Sequence, residues 1–321
     1  MTKLPIPTFF NEADVEKLYL PRYQQITEAA VEYRNKYGIK ASATDGKKVA
    51  VFGIDAQVGF CTPGASLYVP GAEQDVVRAS KFILENLDKI SELHFSLDTH
   101  YAFQIFHPTF WIDSQGNHPA PYTMITTEDL RKGVWSPVVR AKLQEDYVEQ
   151  LEKQGKYTLC IWPFHTMLGS LDHSLVPLLF ETALFHAIAR KSSTKFETKG
   201  QNPFTENYSV MAPEVKTLLA GTKDEVTVGQ FNTRFFKTLM DNDQVIIWGE
   251  ASSHCVKATI EDLITQIQTV DSSLINKIVI FEDCMSPVIH PAVDFPAVAK
   301  EALKKFADAG ATVVKSTDFQ F

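Results

Sequence analysis

Short apolar runs alternate with amphipathic stretches along most of the chain. The run KVAVFGID (Lys48–Asp55) is β-branched and closes on an acid, as a buried strand of a parallel sheet does. From Gly71 to Ile90 the apolar positions recur at helical spacing, and LHFSLD (Leu93–Asp98) is again a strand. YTLCIW (Tyr157–Trp162) reads as a third strand, followed by a helix from about Ser174 to Lys191. STKFETK leads into Gly200, and a helix near Phe231–Leu239 precedes the strand DQVIIWGE, which ends at Glu250. A further helix starts around His254. KIVIFED is a strand, about Ala292–Ala309 a helix, and ATVVKS the last strand. Such alternation predicts an α/β fold, a three-layer α/β/α sandwich with a mostly parallel sheet of about six strands.

Two regions stand outside the alternation. Residues 1–46 form an N-terminal extension, helical from about Asn11 to Tyr37 through Val15, Leu18, Tyr19, Leu20, Ile26, Ala29, Ala30 and Tyr33, and stopped at Gly38. Residues 47–321 form the main domain, interrupted at about 108–156 by two Pro/Gly-rich loops and a charged helix (roughly Val139–Gln154). That insertion suits a cap over a site or an oligomer contact.

Composition narrows the function classes. The 321-residue chain carries a net charge of -8, which argues against a nucleic-acid partner. No apolar run reaches membrane-spanning length, and the first residues lack the apolar core of a secretory signal. The four cysteines form no CxxC pair, which excludes a zinc knuckle or a dense disulfide framework. A reduced, cytoplasmic protein is expected, with a closed symmetric homo-oligomer the common arrangement among soluble proteins.

Ligands of open parallel sheets sit beyond the carboxyl ends of the strands, and titratable residues collect there. Asp55 ends the first strand, Asp98 and His100 the second; His165 follows the third, Lys199 the fourth, and Cys255 begins the helix after the fifth. A thiol at a helix N-terminus is expected to have a lowered pKa, and the free N–H groups there can hold an oxyanion. Taken alone, a lone cysteine is more often buried and inert. Asp55 could act as its base, or simply cap a turn; Lys199 could stabilise negative charge, or be a solvated lysine before a glycine. Asp98 and His100 make D-x-H at a strand end, with His165 as a third donor, a set that suits zinc, iron or manganese. His107, in IFHPTFW, could be a further ligand, a pocket wall or a histidine packed against Phe106 and Phe110.

In their order these motifs resemble the isochorismatase-like cysteine hydrolases, nicotinamidase subgroup. IDAQVGFCTPGASLYVPGA resembles the family's opening motif, DTH its metal D-x-H, WPFH its W-P-x-H, KG its lysine motif and GEASSHCV its nucleophile motif. The resemblance implies Asp55, Lys199 and Cys255 as a catalytic triad and Asp98, His100 and His165 as ligands of a divalent metal. It also implies a cis Glu250–Ala251 peptide and an oxyanion hole from the N–H groups of Ala251 and Cys255. Phe60, His107, Trp162 and Tyr208 would line the pocket for a flat ring. The implied reaction converts nicotinamide to nicotinate and ammonia through a thioester; a related C–N hydrolase of another small amide or N-carbamoyl compound, and a catalytically silent binding protein, are the alternatives. Thr99, Tyr101, Gln104, Thr166 and Ser253 depart from the usual nicotinamidase residues Trp, Pro, His, Cys and an acid at the matching places.

Overall fold

The computed structural model describes residues 3–16, 22–155, 157–290 and 293–321. Leu18, Tyr19 and Leu20 of the expected N-terminal helix, Lys156 at the end of the insertion and Ala292 at the start of the last helix lie outside the described residues.

Six strands make one parallel sheet: β1 (Val49–Ile54), β2 (Glu92–Asp98), β3 (Lys195–Lys199), β4 (Gln244–Gly249), β5 (Ile278–Phe281) and β6 (Thr312–Val314), in the order β6-β5-β4-β1-β2-β3. Every residue of β1 is buried, as its unbroken apolar run requires for a strand paired on both edges and covered on both faces. The edge strand β3 instead exposes Lys195 and Phe196. The α/β sandwich with about six strands is therefore the observed fold.

The crossovers run one way from β1 to β2 to β3 and the other way from β4 to β5 to β6. Right-handed connections then place the intervening helices on opposite faces. On one side α2 (Ala72–Glu85) packs against α4 (Pro177–Arg190), and α1 (Tyr23–Tyr37) covers α4 in turn. Ile26, Ala30 and Tyr33 of α1 share a small core with Leu84, Leu87, Phe185 and Ala189. On the other side α6 (Cys255–Val270) packs against α7 (Phe295–Asp308), while Phe235 of α5 (Thr233–Met240) meets Phe52 of β1 edge-on. Strand order reverses between β1 and β4, and at such a switch point the loops diverge and leave a crevice.

The strand expected at Tyr157–Trp162 is not part of this sheet. Leu159 and Cys160 pair antiparallel with Ile125 and Met124 of the 108–156 segment, and Trp162 turns toward the crevice. A short apolar run has the same pattern whether it fills a sheet or lines a cavity, and only its partners distinguish the two. The charged helix forms as α3 (Ala141–Gln154), with Leu143, Tyr147, Val148 and Leu151 buried. Among the described residues no helix is long and apolar enough to cross a membrane.

Candidate active site

Four side chains meet at the carboxyl edge of the sheet. Asp55 follows β1, Asp98 ends β2, Lys199 ends β3 and Cys255 opens α6 after β4. Lys199 is at their centre. Its Nζ lies 2.9 Å from Asp55 Oδ2, 2.7 Å from Asp98 Oδ1 and 3.5 Å from Cys255 Sγ, and donates to the Asn207 carbonyl at 3.0 Å. All four side chains are buried. The lysine thus neutralises two carboxylates that could not stay charged together in so dry a place.

Neighbouring residues fix the carboxylates. Asp55 has a positive φ of 49°, and its Oδ1 accepts from the Ser96 hydroxyl at 2.6 Å. Ser96 is two residues before Asp98 on β2, so both point to one face. Gln57 ties the ends of β1 and β2: its Nε2 donates to the Asp98 carbonyl at 2.9 Å and its Oε1 accepts from the Asp98 N–H at 2.7 Å. Gly249 is needed where β4 meets the turn before Cys255. Its φ is 133°, and a Cβ there would lie 2.1 Å from the Ile54 carbonyl oxygen.

The electrostatics correct one expectation. Burial pushes the Cys255 thiol well above its usual pKa; Lys199 opposes the rise, and the Asp55 and Asp98 charges add to it. The lowered pKa expected from the helix N-terminus rests on a local field, whereas desolvation is set by the whole fold and dominates at 7 % exposure. Burial likewise raises Asp55, against the pull of Lys199. Burial works against the charge on Lys199, yet Asp55 and Asp98 together carry its pKa well up. Asp98 goes the other way: despite burial, His100 and Lys199 hold it well below the usual carboxylate range.

Asp98 also faces two histidines. One ligand atom from each of Asp98, His100 and His165 lies within 4.8 Å of the others. Asp98 Oδ2 is 2.8 Å from His100 Nε2 and 3.6 Å from His165 Nε2. On the far side of each ring an Nδ1 meets a carbonyl, Gly200 O at 3.2 Å and Pro163 O at 2.7 Å. An N–H donated from Nδ1 leaves the Nε2 lone pair for a cation, so this buried donor set fits a divalent metal. Gly200 makes room for it, since a Cβ there would sit 2.6 Å from His100 Cε1.

His107 does not join either group. Its ring is 6.0 Å from those of His100 and His165 and 4.7 Å from Phe164, and it is absent from the lining of the cavity. It precedes the helical turn Pro108–Phe110 and packs against the Phe106 ring, 4.8 Å away.

A cavity of about 30 Å³ opens beside the thiol, lined by Phe60, Trp162 and Tyr208 with His165, Ala251 and Cys255. The Glu250–Ala251 peptide is cis. The backbone N–H groups of Ala251 and Cys255 donate to no described residue. Two further lining residues were not picked out from the sequence. Glu206 is buried, and desolvation and then Asp98 push its carboxyl up to about 7. His254 packs against Phe295, Tyr208, Trp162 and Tyr157. A polar residue among the aromatics of TENYS and SSHC was the only available signal.

The same architecture recurs in solved structures. An Acinetobacter baumanii nicotinamidase/pyrazinamidase superposes with a TM-score of 0.53 at 18% identity, over 86% of this chain and 99% of that one. The chain has the nicotinamidase fold. The yeast nicotinamidase Pnc1p matches at 0.53 and 18% identity over 83% of this chain and 99% of its own, and its complex with the inhibitor nicotinaldehyde at 0.54. No family profile and no curated protein matches the chain in sequence. The nicotinamidase fold spans nearly the whole of those chains, so the residues of this chain beyond the match are additions to it.

Proposed function

We propose that the protein is an amidohydrolase that cleaves nicotinamide to nicotinate and ammonia, with Cys255 as nucleophile. The observation that carries the reading is the single ammonium of Lys199 within 3.5 Å of Asp55, Asp98 and Cys255. That arrangement binds an acid, a thiol and a charge-stabilising cation into one unit, which a buried structural cysteine does not need. The shared fold with nicotinamidases, one of them bound to nicotinaldehyde, supports the substrate class.

The resting pair is a thiol and a carboxylate. As Sγ attacks the amide carbon, the thiol proton passes to Asp55, whose carboxylate is held 2.9 Å from the same ammonium that lies 3.5 Å from the sulfur. Charge moves to the carbonyl oxygen, to which the N–H groups of Ala251 and Cys255 donate. The C–N bond then breaks, Asp55 returns the proton to nitrogen, and ammonia leaves a thioester. Water attacks the thioester carbon and gives its proton to Asp55; the C–S bond breaks, and the proton returns to sulfur. Lys199 keeps Asp55 anionic between steps. Phe60, Trp162 and Tyr208 offer flat faces to an aromatic ring. A divalent ion held by Asp98, His100 and His165, zinc or else iron or manganese, would supply a Lewis acid for a ring nitrogen.

Ammonia release from nicotinamide by the wild type and by Cys255→Ala tests this. Turnover confined to the wild type is expected; equal rates would remove the nucleophile. Glu206 in the cavity wall motivates a second reading, hydrolysis of another small amide or an N-carbamoyl compound, whose extra donor the acid would meet. A panel of such amides separates the two by the ratio of kcat/KM.

A further inference from the structure

Behind the nucleophile turn lies a buried pair of acids that the reaction does not use. Glu250 follows β4 and is fully buried, and its Oε2 accepts from the Ser286 N–H at 3.2 Å. Its Oε1 is buried and meets no donor among the described residues, while Ser286 ties the two acids together, its N–H to Glu250 and its hydroxyl to Asp75 on α2. Two carboxyl groups held together out of water cannot both be charged, so one keeps its proton. Asp75 already accepts from the Ser286 hydroxyl at 2.5 Å and from the Arg78 guanidinium, so Asp75 is the anion and Glu250 the acid.

This pair sits in the wall of the turn. The Gly249 N–H donates to the Cys284 carbonyl at 3.2 Å and the Ser252 N–H to the Ser286 carbonyl at 2.9 Å. Arg78 holds the same loop through the Asp283 carbonyl. Glu250, between Gly249 and Ala251, reaches this loop through Ser286, whose hydroxyl is held by Asp75 of α2.

We propose that Glu250 is a positioning residue, kept as a neutral carboxylic acid whose O–H clamps the oxyanion turn to Asp75. Its catalytic consequence rests on the amidohydrolase reading; its protonation does not. The groups facing it are Glu73, Asp75 and Arg78 of α2 and the Cys61 thiol of the helical turn Val58–Cys61. From β1 it meets backbone, donating its N–H to the Ile54 carbonyl at 2.8 Å. Arg78 is the sole cation in that set. Burial first, and then the Asp75 charge, hold the Glu250 proton well above the ordinary carboxyl range. A raised acid stabilises the fold fully below its unfolded pKa, and that contribution is lost as pH rises toward the folded value.

The test compares wild type with Glu250→Gln and Glu250→Ala. Glutamine keeps both interactions, donating to Asp75 and accepting from Ser286, but cannot ionise. The infrared difference between wild type and Glu250→Gln at neutral pH should contain the carbonyl band of a protonated carboxylic acid. The Tm of Glu250→Gln relative to wild type should rise steadily from neutral to alkaline pH. Glu250→Ala should lower kcat about 10–100-fold with KM within about twofold, and Glu250→Gln should restore kcat to within about threefold. Absence of the acid band, or a Tm difference that ignores pH, overturns the proposal. Should wild type hydrolyse no amide, the amidohydrolase reading fails, and the infrared and Tm measurements still decide the state of Glu250. If Glu250→Ala does not fold, Glu250→Gln carries the same decision.

Discussion

Two pairs of buried acids flank the turn before Cys255, and each escapes mutual repulsion in a different way. In front, Asp55 and Asp98 share an ammonium, with Lys199 at 2.9 and 2.7 Å. Behind, Asp75 and Glu250 share a proton, and the nearest cation, Arg78, has a side chain 39% exposed. Neither pair could be buried as two bare anions. The difference lies in their response to pH. Asp98 is held below the usual carboxylate range, so its contribution is present above the unfolded value and is lost as pH falls through the folded one. Glu250 is raised, and its contribution fades as pH climbs. One turn is thereby gripped by an ion pair whose carboxylate is lost in acid and by a proton that is lost in base.

The largest effect expected is on the chemistry in front. Cys255→Ala should lower kcat about 10⁴-fold or more while leaving Tm nearly unchanged, because the side chain is small and the ion pairs remain. Burst-free, near-background ammonia release with normal folding checks this. Lys199→Met breaks the comparison more directly. It leaves Asp55 and Asp98 without their cation, at a cost of about 3–5 kcal/mol in stability and about 10²–10³ in rate. The front pair must then share a proton as the rear one does. Its stability should now decline toward alkaline pH, which denaturant unfolding at several pH values will show; an unchanged pH profile would mean the lysine is not what keeps the acids charged.

Much of the front pair is legible in the sequence, and very little of the rear one. In a parallel sheet the residues after each strand must come to one edge, so Asp55, Asp98, Lys199 and Cys255 could be brought together from strand ends alone. Glu250 was visible only as the end of DQVIIWGE, because its partner Asp75 is 175 positions away on a helix with no motif to connect them. The same limit explains the thiol. Helix position is local and readable, but burial depends on residues such as Phe60, Leu67 and Val288, which come from elsewhere in the chain to line the same cavity. The place of Tyr157–Trp162 was hidden for the same reason, and the alternatives for His107 could not be separated, since apolar surroundings fit a sheet, a cavity wall or a packed ring equally well.

Gly200→Ala sharpens the comparison from the metal side. The residue's φ is 81°, and the new Cβ would meet His100 at 2.6 Å while approaching Asp98 Oδ1 at 3.0 Å. A displaced His100 should weaken zinc binding about 10–100-fold by competition with a chelator. Because the rear pair is untouched, the alkaline decline in Tm should stay as in wild type.

The smallest effect should come from Ser96→Ala. The Ser96 hydroxyl donates to Asp55 Oδ1 at 2.6 Å in a fully buried setting, a hydrogen bond to a charged group of about 1.5–3 kcal/mol. Lys199 remains 2.9 Å from the other oxygen, so Asp55 keeps its charge and kcat should fall only about tenfold. The hydroxyl stabilises the ionised form, and its removal must raise the Asp55 pKa further. The acid limb of the kcat profile should therefore move to higher pH, while the response of Glu250→Gln on the other side of the turn stays where it was. If the limb stands still, the base in the reaction is some group other than Asp55, and the front pair serves only to hold the lysine.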